Sequence, residues 1–201
     1  MRVLVACEFS GIVREAFAKR GHDAWSCDLL PTEIPGNHIQ GDVREVLENH
    51  WDMIIAHPPC TYLSRAANHV WNQAGRATKR AEALGLFLVC YYAPCERVAV
   101  ENPTGWPGEV FRKPDQTIHP YYFGDVAMKR TCLWLRGLPK LKWVINDTLF
   151  ENKTAVEKPE PIYHRYDGKA IYFTEANHGG HDRSRTFPGI ANAMAEQWGN
   201  L

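Results

Sequence analysis

Over the first hundred residues, short apolar runs alternate with stretches of helical spacing. Arg2–Cys7, Asp23–Cys27, His38–Gln40, Asp52–Ala56 and Arg97–Glu101 read as strands, short and bounded by turn or breaker residues. Between the first two, Gly11–Arg20 puts Ile12, Ala16 and Phe17 on a helical period, with Val13 and Arg20 at its edges, and Gly21 is a natural C-terminal stop. Val43–Asn49 and Arg76–Tyr92 are further predicted helices, the second ended by Pro94. Strand and helix in repeated succession imply an α/β fold around a mostly parallel sheet.

Beyond Pro103 the pattern changes to aromatic segments interrupted by proline. A hairpin of Tyr121–Phe123 with Arg130–Leu135 is expected to add an antiparallel edge. Residues 137–176 are weakly periodic, Ile190–Trp198 is an amphipathic helix, and no internal repeat is visible. The 201 residues are expected to form one domain.

Composition narrows the class. The apolar fraction of 45% is that of a globular protein, and no uncharged apolar run approaches the roughly 20 residues needed to cross a bilayer. The N-terminal run lacks the basic region and long apolar stretch of a secretory signal, so a cytoplasmic location with no membrane partner is expected. With so much apolar material the six cysteines are expected to be free thiols. None has Cys-x-x-Cys spacing and His178 and His181 form an isolated pair, so no metal site is expected. A net charge of zero argues against a strong nonspecific grip on nucleic acid. The halves differ, however: residues 1–64 hold five basic side chains against nine acidic, and residues 65–201 hold eighteen against fourteen. That excess makes Arg65, Arg76, Lys79, Arg80, Lys129 and Arg130 candidates for a phosphate-facing surface.

In an open parallel sheet, ligands bind beyond the carboxyl ends of the strands. After the first strand comes Glu8-Phe9-Ser10-Gly11, a tight turn into a helix; Asp28 ends the second strand and Asp42 follows the third. A glycine turn with acids at successive strand ends suits a cofactor carrying adenosine, because a carboxylate accepts both ribose hydroxyls. A structural reading stands beside it, in which Gly11 only makes the turn and the two aspartates cap the helices after them. The second glycine of a dinucleotide fingerprint is absent, which weighs against NAD.

The loop after the fourth strand, His57-Pro58-Pro59-Cys60, stiffens the backbone immediately before a thiol. A thiolate there can add to an electron-poor ring. Cys7, Cys27, Cys90 and Cys132 read as inert thiols. Glu101, at the end of the fifth strand, puts a carboxyl group in the same row of loops, as addition to a pyrimidine carbon with proton donation to a ring nitrogen requires.

The order of these motifs resembles the DNA cytosine-5 methyltransferases. Phe9-Ser10-Gly11 looks like the cofactor loop of that family, Asp28 with Leu29 like its ribose-binding acid, and Asp42 with Val43 like its adenine contact. Pro58-Pro59-Cys60 resembles the nucleophile loop and Glu101-Asn102 the family's Glu-Asn-Val, with Pro103 in place of the valine. The segment from Tyr122 to Lys129 and Arg130 is similar to the one that ends in paired arginines, and Arg185 to Glu196, including Asn192, to the closing motif. The resemblance implies a Rossmann-like methyltransferase fold and S-adenosylmethionine as cofactor, bound along Phe9, Ser10, Gly11, Asp28, Leu29, Asp42, Val43, Pro58 and Asn192. Cys60, Glu101 and Arg130 would be catalytic, while Pro59, Ser64, Asn102 and Lys129 would contact the substrate. DNA is the implied partner, with RNA or a free cytosine nucleotide as other carriers of the ring. Only residues 131–184 separate the arginine segment from the closing motif here, so 137–182 is expected to be a reduced target-recognition or insert region. Tyr62, Trp71 and Trp106 are candidates to stack on the base or to pack in the core. Two other readings remain open: methylation of an exocyclic amine, and a noncatalytic domain that binds S-adenosylmethionine or nucleic acid.

Overall fold

In the computed structural model, which describes residues 1–65, 73–143, 158–172 and 184–201, a seven-stranded sheet has the order β3-β2-β1-β4-β5-β7-β6. Its strands are β1 (Arg2–Ala6), β2 (Asp23–Asp28), β3 (His38–Gln40), β4 (Met53–Ala56), β5 (Val98–Pro103), β6 (Gln116–Ile118) and β7 (Thr131–Arg136). The first five are mutually parallel, and β7 runs antiparallel to both β5 and β6. This is a Rossmann-like α/β sheet with an antiparallel edge, as expected from the sequence.

Strand alternation sorts the apolar side chains into two layers. Leu4, Ala6, Ile54, Ala56, Val98 and Val100 face one core with Phe87 and Trp134, whereas Val3, Val5, Met53, Ile55 and Ala99 face the other with Phe17 and Trp198. Both faces of a parallel sheet are covered, so its central strands read as continuous apolar runs. Helix α2 (Arg76–Tyr91) covers the first face, and α1 (Ile12–Ala18) and α4 (Pro188–Trp198) cover the second; α3 is the single turn Pro107–Val110. In α4, Pro188 presets the first turn, and Ile190, Ala191, Met194, Ala195 and Trp198 form the buried stripe.

Three expectations are corrected. The buried face of α1 is Val13, Arg14, Ala16 and Phe17, with Ile12 only half-buried. Val43–Asn49 is no regular helix: a 3-10 turn at Val43–Glu45 gives way to a tight descent that buries Val43, Val46 and Leu47. The partner of β7 is Gln116–Ile118 rather than Tyr121–Phe123, which lies in the 3-10 turn Pro120–Phe123. Pro120 opens that turn without an N–H to donate and Gly124, at φ 91°, closes it, while Ile118 fills a core position. Within 137–182, the described residues include a small hairpin of β8 (Tyr163–His164) and β9 (Ala170–Ile171). His178, His181 and Trp71 lie outside the described residues.

Candidate active site

Because β3, β2, β1, β4 and β5 are parallel, their carboxyl ends share one edge. The β1 loop is built inward on Glu8, whose side chain is enclosed with the residue only 4% exposed. Its carboxylate accepts the N–H of Val13 at 2.7 Å, the N–H of Arg14 at 3.2 Å and the Ser10 hydroxyl at 3.3 Å; Ser10 Oγ in turn accepts the Ile12 N–H. The donors of the first helical turn, which in a dinucleotide fold would hold a pyrophosphate, are thus taken by an internal carboxylate. Burial raises the pKa of Glu8 against these hydrogen bonds and against the nearby His57. Gly11 sits at φ 74°, and a Cβ there would crowd the Arg14 guanidinium and Ile34.

Arg14, almost wholly buried, binds the following loop to α1. Its guanidinium donates to Ser26 Oγ, Thr32 Oγ1, the Ile34 carbonyl at 2.6 Å and the Pro35 carbonyl. The hydrogen bonds His38 makes with Ser26 Oγ and the Leu30 carbonyl extend the same network. It presents Leu29, 72% exposed, and Leu30 directly after Asp28. Asp28 accepts the Leu30 N–H, and Asp42 caps the 3-10 turn through the Arg44 N–H and pairs with the Arg44 side chain. The capping reading therefore holds for Asp42 and not for Asp28, which closes a turn onto Leu30 with no helix after it; both stand at the carboxyl edge of the sheet. Val43 is buried, and Phe9 is buried with its carbonyl accepting the Glu33 N–H.

At β4, Pro58 is buried while Pro59 and Cys60 are exposed. The Cys60 carbonyl accepts the N–H groups of Leu63 and Ser64, turning the chain back toward β5. There Ser64 bridges Gly105, and the Leu63 carbonyl accepts the Trp106 N–H at 2.8 Å. A Cβ at Gly105 would overlap the Leu63 carbonyl, so this approach requires glycine. Asn102, 1% exposed, donates from Nδ2 to the Pro58 carbonyl at 3.0 Å. The loop carrying Cys60 is thus fastened at two points by residues of the β5 end.

Between the ends of β4 and β5 lies a buried histidine–carboxyl contact. His57 Nδ1 is 3.3 Å from Glu101 Oε2, with side-chain exposures of 7% and 15%, and Thr186 Oγ1 lies 3.5 Å from the same nitrogen. Burial opposes ionisation of Glu101, but the His57 hydrogen bond and the positive charges of Lys129 and His57 outweigh it and hold the carboxyl below its usual range. Buried atoms without a partner include His57 Nε2, Glu101 Oε1 and Asn102 Oδ1. Leaving such groups unmet costs about 1–3 kcal/mol each. All three lie at the carboxyl ends of β4 and β5, with Glu101 and Asn102 on opposite faces of their strand.

The sequence reading missed Glu8, Arg14 and His57. Their only local signals were polar residues beside predicted core positions. Lys129 is half-buried and acts on Glu101, while Arg130 is exposed. Asn192 is exposed on α4 between the buried Ala191 and Ala193. The closing segment reaches the site edge through Thr186 and through Arg185, paired with Glu33 at 2.6 Å. Arg80 drops out of the basic surface: it is buried with the guanidinium 5.5 Å from the Trp106 ring, and Trp106 packs against the core. Arg65 pairs with Glu109, and Arg76 and Lys79 lie over the Tyr62 ring. All six cysteines are thiols, as expected; Cys27, Cys90 and Cys132 are buried, and Cys60 alone is exposed. A hydrogen bond with Cys90, then burial, pushes the Cys7 thiol well up, and burial pushes Cys27 up to about 11. No helix among the described residues is long and apolar enough to cross a membrane.

No family model and no curated protein matches the chain. Among solved structures it resembles an Escherichia coli protein described as a candidate DNA modification methyltransferase encoded within a prophage. The two align at a TM-score of 0.45 and 14% identity over 66% of this chain and 45% of the other, so this chain spans less than half that protein's length.

Proposed function

We propose that this protein transfers a methyl group from S-adenosylmethionine to C5 of cytosine in DNA through a covalent adduct at Cys60. The observation that carries this reading is the exposed Cys60 thiol, on a loop that Asn102 and Gly105 hold against the buried His57–Glu101 pair. A nucleophile and an acid–base pair on adjacent strand ends are what addition to a pyrimidine needs.

The residues along β1 to β3 fit the cofactor. Glu8 fills the anion position of α1, which disfavours a pyrophosphate but not a ligand whose charged centre is a cationic sulfonium. Asp28 and Asp42 offer carboxylates to hydroxyl and amine groups, and the exposed Leu29 offers an apolar surface to an adenine ring. When bound, S-adenosylmethionine supplies an electrophilic methyl group. Cys60 adds to C6 of the ring, Glu101 binds the N3 side, and Lys129 biases that carboxyl electrostatically. A cytosine in duplex DNA would have to leave the stack, at a cost of a few kcal/mol.

One observation favours the second reading. An ionised Glu101 is an acceptor and suits an exocyclic amine as it stands. Labelled cofactor with cytosine-containing DNA, RNA and nucleotides separates the two. Label at C5, its loss in Cys60→Ser with cofactor affinity retained, and an adduct between Cys60 and 5-fluorocytosine are the expected results. Near-normal methylation by Cys60→Ser would overturn the covalent reading in favour of amine methylation.

A further inference from the structure

A carboxyl held ionised cannot by itself protonate N3. We infer that His57 is the proton partner of Glu101, a positioning residue that supplies through the carboxylate the proton the ring takes up when Cys60 adds. The inference rests on the C5 reading and is carried by geometry. The imidazole is enclosed with Nδ1 on Glu101 Oε2, and the other oxygen, Oε1, is buried without a partner. One carboxylate oxygen is thus paired with His57 and the other has no partner. From the other face of β5, Asn102 Nδ2 donates to the carbonyl of Pro58, the residue directly after His57.

Among the described residues, four groups bear on the imidazole or its carboxyl partner. Glu8 from the β1 loop and Glu101 from β5 are acidic, Lys129 adds positive charge at Glu101, and Thr186 from the closing segment contributes a hydroxyl. When it carries two protons the imidazole is electrostatically matched to the Glu101 carboxylate, and the path from Nδ1 to Oε2 is 3.3 Å.

The proton balance closes. When the Cys60 thiolate forms its bond to C6, the ring π electrons shift toward N3. The Nδ1 proton of His57 passes to Oε2, and the carboxylic acid so formed turns about its Cγ–Cδ bond and gives that proton to N3, leaving a neutral imidazole and an ionised carboxylate. C5 then takes the methyl group and loses its own proton to water. The C6–S bond breaks with its electron pair returning to sulfur, and the N3 proton returns through Glu101 to His57. The net change is one methyl group gained and one proton released.

The test uses the full chain with cytosine-containing DNA and reads two quantities from pH 5.5 to 9: methyl transfer, and exchange of the cytosine C5 hydrogen with solvent, which needs the adduct but no methyl group. His57→Asn keeps an amide donor near the Nδ1 position but has no proton to transfer; His57→Gln serves as a second variant, with far-UV circular dichroism and cofactor affinity as controls on folding. In the wild type both rates should fall on the alkaline side. In His57→Asn both should drop about 10²–10³-fold, the range of a lost acid–base contribution, with KM little changed and the alkaline fall abolished. A variant that keeps the wild-type rate, or loses rate with its pH profile intact, would overturn the inference and leave the C5 reading standing. A wild type that neither methylates nor exchanges C5 would overturn both.

Discussion

Replacing Glu8 with alanine removes the acceptor for two backbone N–H groups in the first turn of α1, those of Val13 at 2.7 Å and Arg14 at 3.2 Å. Each sits in a buried loop, where an unmet donor costs about 1–3 kcal/mol. Loss of a negative charge at a helix N-terminus adds about 0.3–1 kcal/mol. Against this, burial disfavours the ionised carboxyl, so its removal returns part of the loss. The net expectation is about 2–4 kcal/mol, or roughly 4–16 °C in Tm for a chain of this size. The isosteric Glu8→Gln separates cap from charge. Because the pKa of Glu8 is raised in the fold, its stabilising contribution is full below the usual carboxylate range and declines as pH rises through the native value. Glu8→Gln should therefore show a shallower loss of stability than wild type as pH rises above the usual carboxylate range. Urea unfolding followed by tryptophan fluorescence at several pH values measures both effects. A Glu8→Ala variant within 0.5 kcal/mol of wild type, or a Glu8→Gln variant with the wild-type pH slope, would refute the reasoning.

Asp28→Ala should weaken binding of S-adenosylmethionine or its demethylated product at least tenfold by calorimetry, with little change in Tm because the lost turn with Leu30 is exposed. If the wild type binds neither compound, the cofactor proposal fails. Gly105→Ala should destabilise by about 1–3 kcal/mol and reduce turnover more than cofactor affinity, since the new methyl group displaces the Leu63 carbonyl and with it the Cys60 loop. Differential scanning calorimetry beside steady-state kinetics tests it. Glu101 and Asp115, the latter held low by its hydrogen bonds with Arg112 despite burial, stabilise the fold above the usual carboxylate range. That stability should disappear as pH falls through their lowered values, and Glu101→Gln should flatten its share of the acid limb in urea titrations.

Much of the frame is written in local sequence. The central strands are apolar on both faces because the sheet is buried on both, and breakers such as Gly21 and Pro94 mark helix ends without tertiary help. Strand order alone puts Phe9 to Gly11, Asp28, Asp42, Cys60 and Glu101 at carboxyl ends, since parallel strands place those ends together. What local pattern could not decide was pairing at long range. The selection of Gln116–Ile118 over Tyr121–Phe123 beside β7 depends on which side chain fills the core, and Ile118 does so. Polar contacts were equally hidden. Glu8 looks like an ordinary loop acid until three donors converge on it, Arg14 like a surface arginine until the Ile34 and Pro35 carbonyls fold over it, and His57 like a turn residue until Glu101, forty-four positions away, meets it at 3.3 Å. Hydrophobic periodicity reports which way a side chain points; the partner that makes a buried charge tolerable is fixed only when distant strands are brought side by side.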